Sequence, residues 1–177
     1  MRKILTTAAL SLAAASLLTP ALAQDMPSAT AGLVGVDGTD HGTVTFQQTP
    51  NGVLLTADLT GVPAGAHGFH VHETGLCEPG DEFQSAGGHF TGVSDTHGVL
   101  VEGGPHSGDM PNIHVPESGD LIIEVLNTRI SLMEDGEGYL MDDDGSAIMI
   151  HSGADDYESQ PSGDAGSRVA CGVIEMD

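Results

Sequence analysis

From Gly32 onward the chain is a succession of short β-type runs punctuated by glycine-rich turns, and no stretch sustains the 3.6-residue periodicity of a helix. That pattern limits the fold to an all-β sandwich or barrel, since each short run can bury one face only by packing against others. The runs are Gly32–Val36, Gly42–Gln48, Val53–Thr60, His67–His72, Asn112–Pro116, Asp120–Leu126, Ala147–His151 and Val169–Ile174. Turn-forming sequences such as Pro50-Asn51-Gly52, Glu117-Ser118-Gly119 and Asp144-Gly145 separate several of them. Two long segments break the rhythm, the glycine-rich Glu73–Pro111 and the acidic Ser152–Ser167. Loops of that length in a compact domain are functional or disordered. No internal repeat is visible, and residues 32–177 suit one domain preceded by a flexible polar stretch, 24–31.

The first 23 residues read as an export signal. Arg2 and Lys3 give a positive start, Ile4–Leu18 an apolar run interrupted by Thr6, Thr7, Ser11 and Ser16, and Ala21-Leu22-Ala23 a small-residue cleavage site. The apolar run is too short and polar to span a bilayer comfortably, so cleavage near Ala23 leaves no membrane span and places the protein in the periplasm or outside the cell. Losing Arg2 and Lys3, with no acid in the leader, takes the formal charge from −22 to −24 and leaves Arg129 and Arg168 as the only fixed cations. Nucleic acid and anionic membranes are therefore excluded as partners. In an oxidising compartment Cys77 and Cys171 are able to pair, which would add up to about 4.5 kcal/mol by loop entropy; two free thiols are the alternative.

The chemistry-bearing residues are histidines. His70 and His72 stand two apart on a β-type run, so both imidazoles leave the same face and are able to share one ion. His151 ends a later run. His89, His97, His106 and Asp109 lie in the glycine-rich loop, and three histidines with one aspartate make a closed four-ligand zinc set.

The segments His67-Gly-Phe-His-Val-His-Glu73, Gly87-Gly-His89, His97-Gly98, Gly104-Pro-His-Ser-Gly-Asp109, His151-Ser-Gly-Ala-Asp-Asp156 and Gly166-Ser-Arg-Val-Ala-Cys-Gly172 together resemble copper/zinc superoxide dismutase. The export signal, the short step from His72 to Cys77 and the Asp156-Tyr157 pair resemble its bacterial, periplasmic branch. The resemblance runs from about Gly32 to Ile174. It implies an eight-stranded Greek-key β-barrel, an immunoglobulin-like sandwich with two long functional loops. It also implies one copper and one zinc ion per subunit and superoxide as substrate. Copper would take His70, His72, His89 and His151; zinc would take His89, His97, His106 and Asp109, with His89 as a bridging imidazolate and proton relay. By the same resemblance Arg168 is the arginine beside copper, Asp155 links His70 to His97, Cys77–Cys171 is the family disulfide, and His67 is a structural histidine of the barrel.

His41 and His114 match nothing functional and read as solvated surface residues. Thr91-Gly92 stands where many relatives carry Asn-Pro, a change of loop shape rather than of ligands. The acidic loop holds Asp155, Asp156, Glu158 and Asp164 and no lysine, so the field around the site should repel an anion and capture should quicken as salt screens it. The alternative function is a non-catalytic copper/zinc-binding protein of the cell envelope, which would need the same ligands but no Arg168. A monomer and a homodimer both fit the sequence.

Overall fold

The computed structural model describes residues 26–177. The expected leader, residues 1–23, lies outside them. The described strands are β1 (Ser28–Gly35), β2 (Asp40–Thr49), β3 (Gly52–Leu59), β4 (Gly65–His67), β5 (Phe69–His72), β6 (Ile113–Val115), β7 (Leu121–Asn127), β8 (Ala147–His151), β9 (Arg168–Val173) and β10 (Glu175–Met176). Seven of them form one antiparallel path, β5-β8-β9-β1-β2-β3-β7, with β10 pairing beside β1, while β4 pairs separately with β6. Taking β4 and β5 as one strand kinked at Gly68, the path closes on itself everywhere except between β7 and β6. There the Pro116–Asp120 turn makes the connection, closed by the Gly119 N–H on the Pro116 carbonyl at 2.9 Å. The result is the eight-stranded Greek-key barrel that the resemblance implies, with β3→β4 and β7→β8 as the connections that cross between non-neighbours.

Alternation builds the core. On β2, Val44, Phe46 and Gln48 are buried while Thr45 and Gln47 face solvent, and on β3 Val53, Leu55, Ala57 and Leu59 point inward. Phe69, Val71, Ile148 and Ile150 complete the same interior. β8 is buried along its whole length because both its faces are covered. Its outward Ala147 and Met149 pack with Phe83, Ala86 and Cys171 under the long loop. The Cys77–Cys171 disulfide fastens that loop to β9, with Cα atoms 5.7 Å apart.

Four expectations need correction. β1 begins at Ser28, so half of the stretch expected to be flexible is strand, with Ala29 and Ala31 fully inside and Ala29 opposite Met176 of the unforeseen β10. The domain accordingly starts four residues earlier than Gly32. The run His67–His72 is two strands, because Gly68 leaves the ladder to exchange hydrogen bonds with Gly153 and His151. His41 is buried at 7% exposure rather than solvated, its Nδ1 3.1 Å from the Thr60 carbonyl, whereas His114 is exposed as expected.

Candidate metal centre

The barrel wall and the long loop form this centre together. Phe69 and Val71 of β5 fill the barrel interior, so His70 and His72 between them point outward, under the loop. The loop lies against β5 like two further strand fragments: Val71 N–H donates to Gly108 O at 2.9 Å, Phe90 N–H to Val71 O at 2.8 Å, and His70 and His72 face Asp109 and His89 across isolated bridges. Gly108 permits this approach, since a Cβ there would sit 2.3 Å from the Val71 carbonyl oxygen. His151 enters from β8, where the register slips between Ile150 and His151, and such a bulge re-aims a side chain.

Every ligand candidate read from the sequence is brought into one of two groups, and His89 belongs to both. His70, His72, His89 and His151 form the first; His89, His97, His106 and Asp109 form the second. In each, the ligand atoms lie within 4.8 Å of one another and all the residues are buried. The His70 and His89 ring centroids are 4.1 Å apart, and those of His89 and His97 5.2 Å.

The hydrogen bonds decide which ring nitrogens carry lone pairs. His70 Nε2 is 2.8 Å from Asp155 Oδ2 and therefore holds the proton, leaving Nδ1 buried without a partner. His89 Nδ1 donates to Asp109 Oδ1 at 2.8 Å, leaving Nε2 likewise unpartnered. His72 and His151 direct Nδ1 at the carbonyls of Gly87 and Gly166, so their Nε2 lone pairs meet each other at 3.3 Å. His97 donates Nε2 to Asp155 at 3.0 Å, which turns its buried Nδ1 toward Asp109 Oδ2, also 3.0 Å away. Buried lone pairs that face one another or face nothing are costly unless a cation lies among them. The donor set therefore fits metal ions in both groups, and imidazole nitrogens with one carboxylate suit copper and zinc.

Electrostatics point the same way. Burial drives His89 down to about 4 despite Asp109, and burial with the neighbouring His70 and His89 drives His151 to about 3. His72 is lowered well below its ordinary value, by burial first and then by His89 and His151. These rings stay neutral, the form that binds metal. For His97, burial is outweighed by Asp109 and Asp155, which raise it to about 9. Burial of Asp109 and Asp155 is likewise outweighed by the donors around them, and both remain ionised well below the usual carboxylate range.

Asp155 sits between the groups, and amide side chains that no sequence motif marks hold its surroundings. Asn112 makes a reciprocal pair with the Asp155 backbone, 2.8 Å in each direction. Gln160 does the same to His97, its Oε1 accepting from His97 N–H at 2.9 Å and its Nε2 donating to His97 O at 2.8 Å. An amide side chain satisfies one donor and one acceptor at once, but no sequence pattern shows which backbone it will meet. His67, as expected, stays outside the centre, bonded to the backbone of His151 and Pro63.

A cavity of about 290 Å³ opens onto the first group, lined by His72, His89, His151 and Arg168 together with Glu82, Gln84 and Ser162. Arg168 faces His151 across the β8–β9 ladder. Its guanidinium donates to the carbonyls of Phe83 and Gly87, which fixes the head group at the cavity wall. Glu82 matches no motif and is not identifiable from the sequence; it brings a negative charge to the same opening.

Barrel and centre together define a β-barrel protein with two buried groups of side chains able to hold metal ions, His89 belonging to both. The profile described as copper/zinc superoxide dismutase (SODC) matches residues 40–174. The chain is 45% identical over 150 residues to the copper-zinc superoxide dismutase of Caulobacter vibrioides, covering 84% of this chain and 86% of that one. It is 42% identical over 146 residues to copper-zinc superoxide dismutase 1 of Aquifex aeolicus, covering 82% and 86%. Among solved structures, a superoxide dismutase-like protein from Bacillus subtilis superposes with a TM-score of 0.76 at 33% identity, covering 81% of this chain and 95% of that one. The chain belongs to the copper/zinc superoxide dismutase family and is an oxidoreductase of that type.

Proposed function

We propose that the protein dismutates superoxide with copper held by His70, His72, His89 and His151 and zinc held by His89, His97, His106 and Asp109. The observation that carries this reading is the pair of buried, unpartnered nitrogens, His70 Nδ1 and His89 Nε2, beside a cavity that Arg168 lines. Copper, when bound, supplies one-electron cycling between Cu(II) and Cu(I), so that two superoxide ions and two protons become dioxygen and hydrogen peroxide.

The residues supply the rest. Arg168, with two nitrogens pinned to carbonyls, presents its remaining donors to the cavity and holds the incoming anion. His89 belongs to both groups and would bridge the two ions as an imidazolate; its Nε2 is the atom that would hold a proton and pass it to the departing product. Asp155 keeps the Nε2 protons of His70 and His97 in place, so that both rings turn Nδ1 inward. The zinc-side group shapes the loop that carries His89.

Export to the periplasm follows from the leader sequence, and one copper and one zinc serve each subunit of a monomer or homodimer. A purely metal-storing role leaves the fixed guanidinium at the cavity wall without a use. The test is superoxide decay followed with protein loaded with both metals. Decay that is first-order in superoxide, proportional to the protein concentration and absent with zinc-only protein is expected; full loading without acceleration would return the protein to the storage role.

A further inference from the structure

His41 is a buried histidine that the metal centre does not use. It opens β2, and its Nδ1 lies 3.1 Å from the Thr60 carbonyl. A carbonyl only accepts, so Nδ1 carries the proton and Nε2 carries the lone pair. No protein hydrogen-bond partner meets that Nε2 among the described residues, and the atom reaches solvent although the residue is only 7% exposed. It faces a cavity of about 500 Å³ between the β1–β2 turn and β9, lined by Gly35, Val36, Asp37, Gly61, Pro63 and Val169.

Asp37 shares that corner. Its Oδ1 is held by the Thr39 N–H at 2.9 Å, which leaves the exposed Oδ2 without a protein donor among the described residues. A Cβ built on Gly35 would lie 3.0 Å from both His41 Nε2 and Asp37 Oδ1, so the glycine leaves a small cradle in front of the two groups. An imidazole fixed by a backbone carbonyl on one nitrogen and open on the other is how proteins present histidine to a metal. No lysine exists in the described chain, Arg129 is tied to Pro105 and Arg168 to Phe83 and Gly87, so no fixed cation of the protein competes for the corner.

We propose that His41 Nε2 and the Asp37 carboxylate bind one divalent late-transition cation, such as Zn²⁺, with water completing its coordination, independently of the centre built on His89. Nitrogen and oxygen donors of this kind suit zinc, and the backbone contacts at Thr60 and Thr39 orient both ligands before the ion arrives. Two protein ligands make the site weaker than the four-ligand groups, and therefore exchangeable.

The experiment is calorimetric titration of the copper- and zinc-loaded protein with Zn²⁺, with the His41 ring nitrogens followed by NMR. One further equivalent is expected, shifting Nε2 and not Nδ1. Asp37→Asn, His41→Gln and Gly35→Ala, which fills the cradle, should each weaken it by at least about tenfold, whereas His114→Gln should leave it unchanged. No third equivalent, or one that survives Asp37→Asn and Gly35→Ala, would overturn the proposal. Asp37 is exposed, so its variant tests the site even if loss of the buried His41 ring impairs folding.

Discussion

Replacing Asp155 by asparagine separates the two halves of the centre in a way that can be calculated from the contacts. The carboxylate receives three donors: His97 Nε2–H at 3.0 Å and Tyr157 N–H at 2.6 Å on Oδ1, and His70 Nε2–H at 2.8 Å on Oδ2. Asparagine offers one acceptor oxygen, which takes the Oδ1 position because two donors converge there. Its NH₂ then meets the His70 N–H, donor against donor. Losing that charge-assisted bond costs about 1.5–3 kcal/mol, or about 10- to 150-fold in affinity, and the cost falls on the group containing His70. Chelator competition, run separately for each metal, should show copper affinity dropping into that range with zinc affinity nearly unchanged. Both affinities within about twofold of the parent, or a loss confined to zinc, would refute the assignment of Asp155 as the holder of His70.

Other perturbations address the loop, the field and the acid side. Gln160→Ala removes both bonds that hold the His97 backbone, and should loosen zinc about tenfold in chelator competition while sparing copper. The dismutation rate should rise with added salt, and Glu82→Gln at the opening should raise the low-salt rate about twofold and flatten that dependence; a rate falling steadily with salt would contradict both. In the metal-free protein His97, raised to about 9, adds stability that is complete below 6.5 and lost as pH climbs toward 9. His89 and His151, lowered to about 4 and 3, stay neutral in the fold while the unfolded chain takes up protons, so stability falls as pH drops below 6.5. The melting temperature of metal-free protein should therefore peak near pH 6.5, and a steady rise toward pH 4 would contradict these environments.

Strands that bury large side chains beside clear turns are legible from residues alone, as with Val53–Thr60 and Ala147–His151. β1 hides its first half because Ser28, Ala29, Thr30 and Ala31 alternate too weakly in hydropathy to register, yet small residues are what fit there. The break at Gly68 is invisible locally because Gly153 and His151, over 80 residues away, cause it. His-x-His spacing places His70 and His72 on one face, but their meeting with His89 and His151 is tertiary and is legible only through the family motifs. Residue type alone suggests that His41 is exposed, whereas the β1–β2 turn folds over it. Gln160, Asn112 and Glu82 act through backbone or charge at a distance, which leaves no local signature.

The most direct measurement is a crystal structure of the loaded protein with anomalous differences collected on either side of the copper and zinc absorption edges. A copper peak is predicted among His70, His72, His89 and His151 and a zinc peak among His89, His97, His106 and Asp109, with the His89 ring between them. One shared peak, or zinc filling the first group while copper occupies the second, would contradict it.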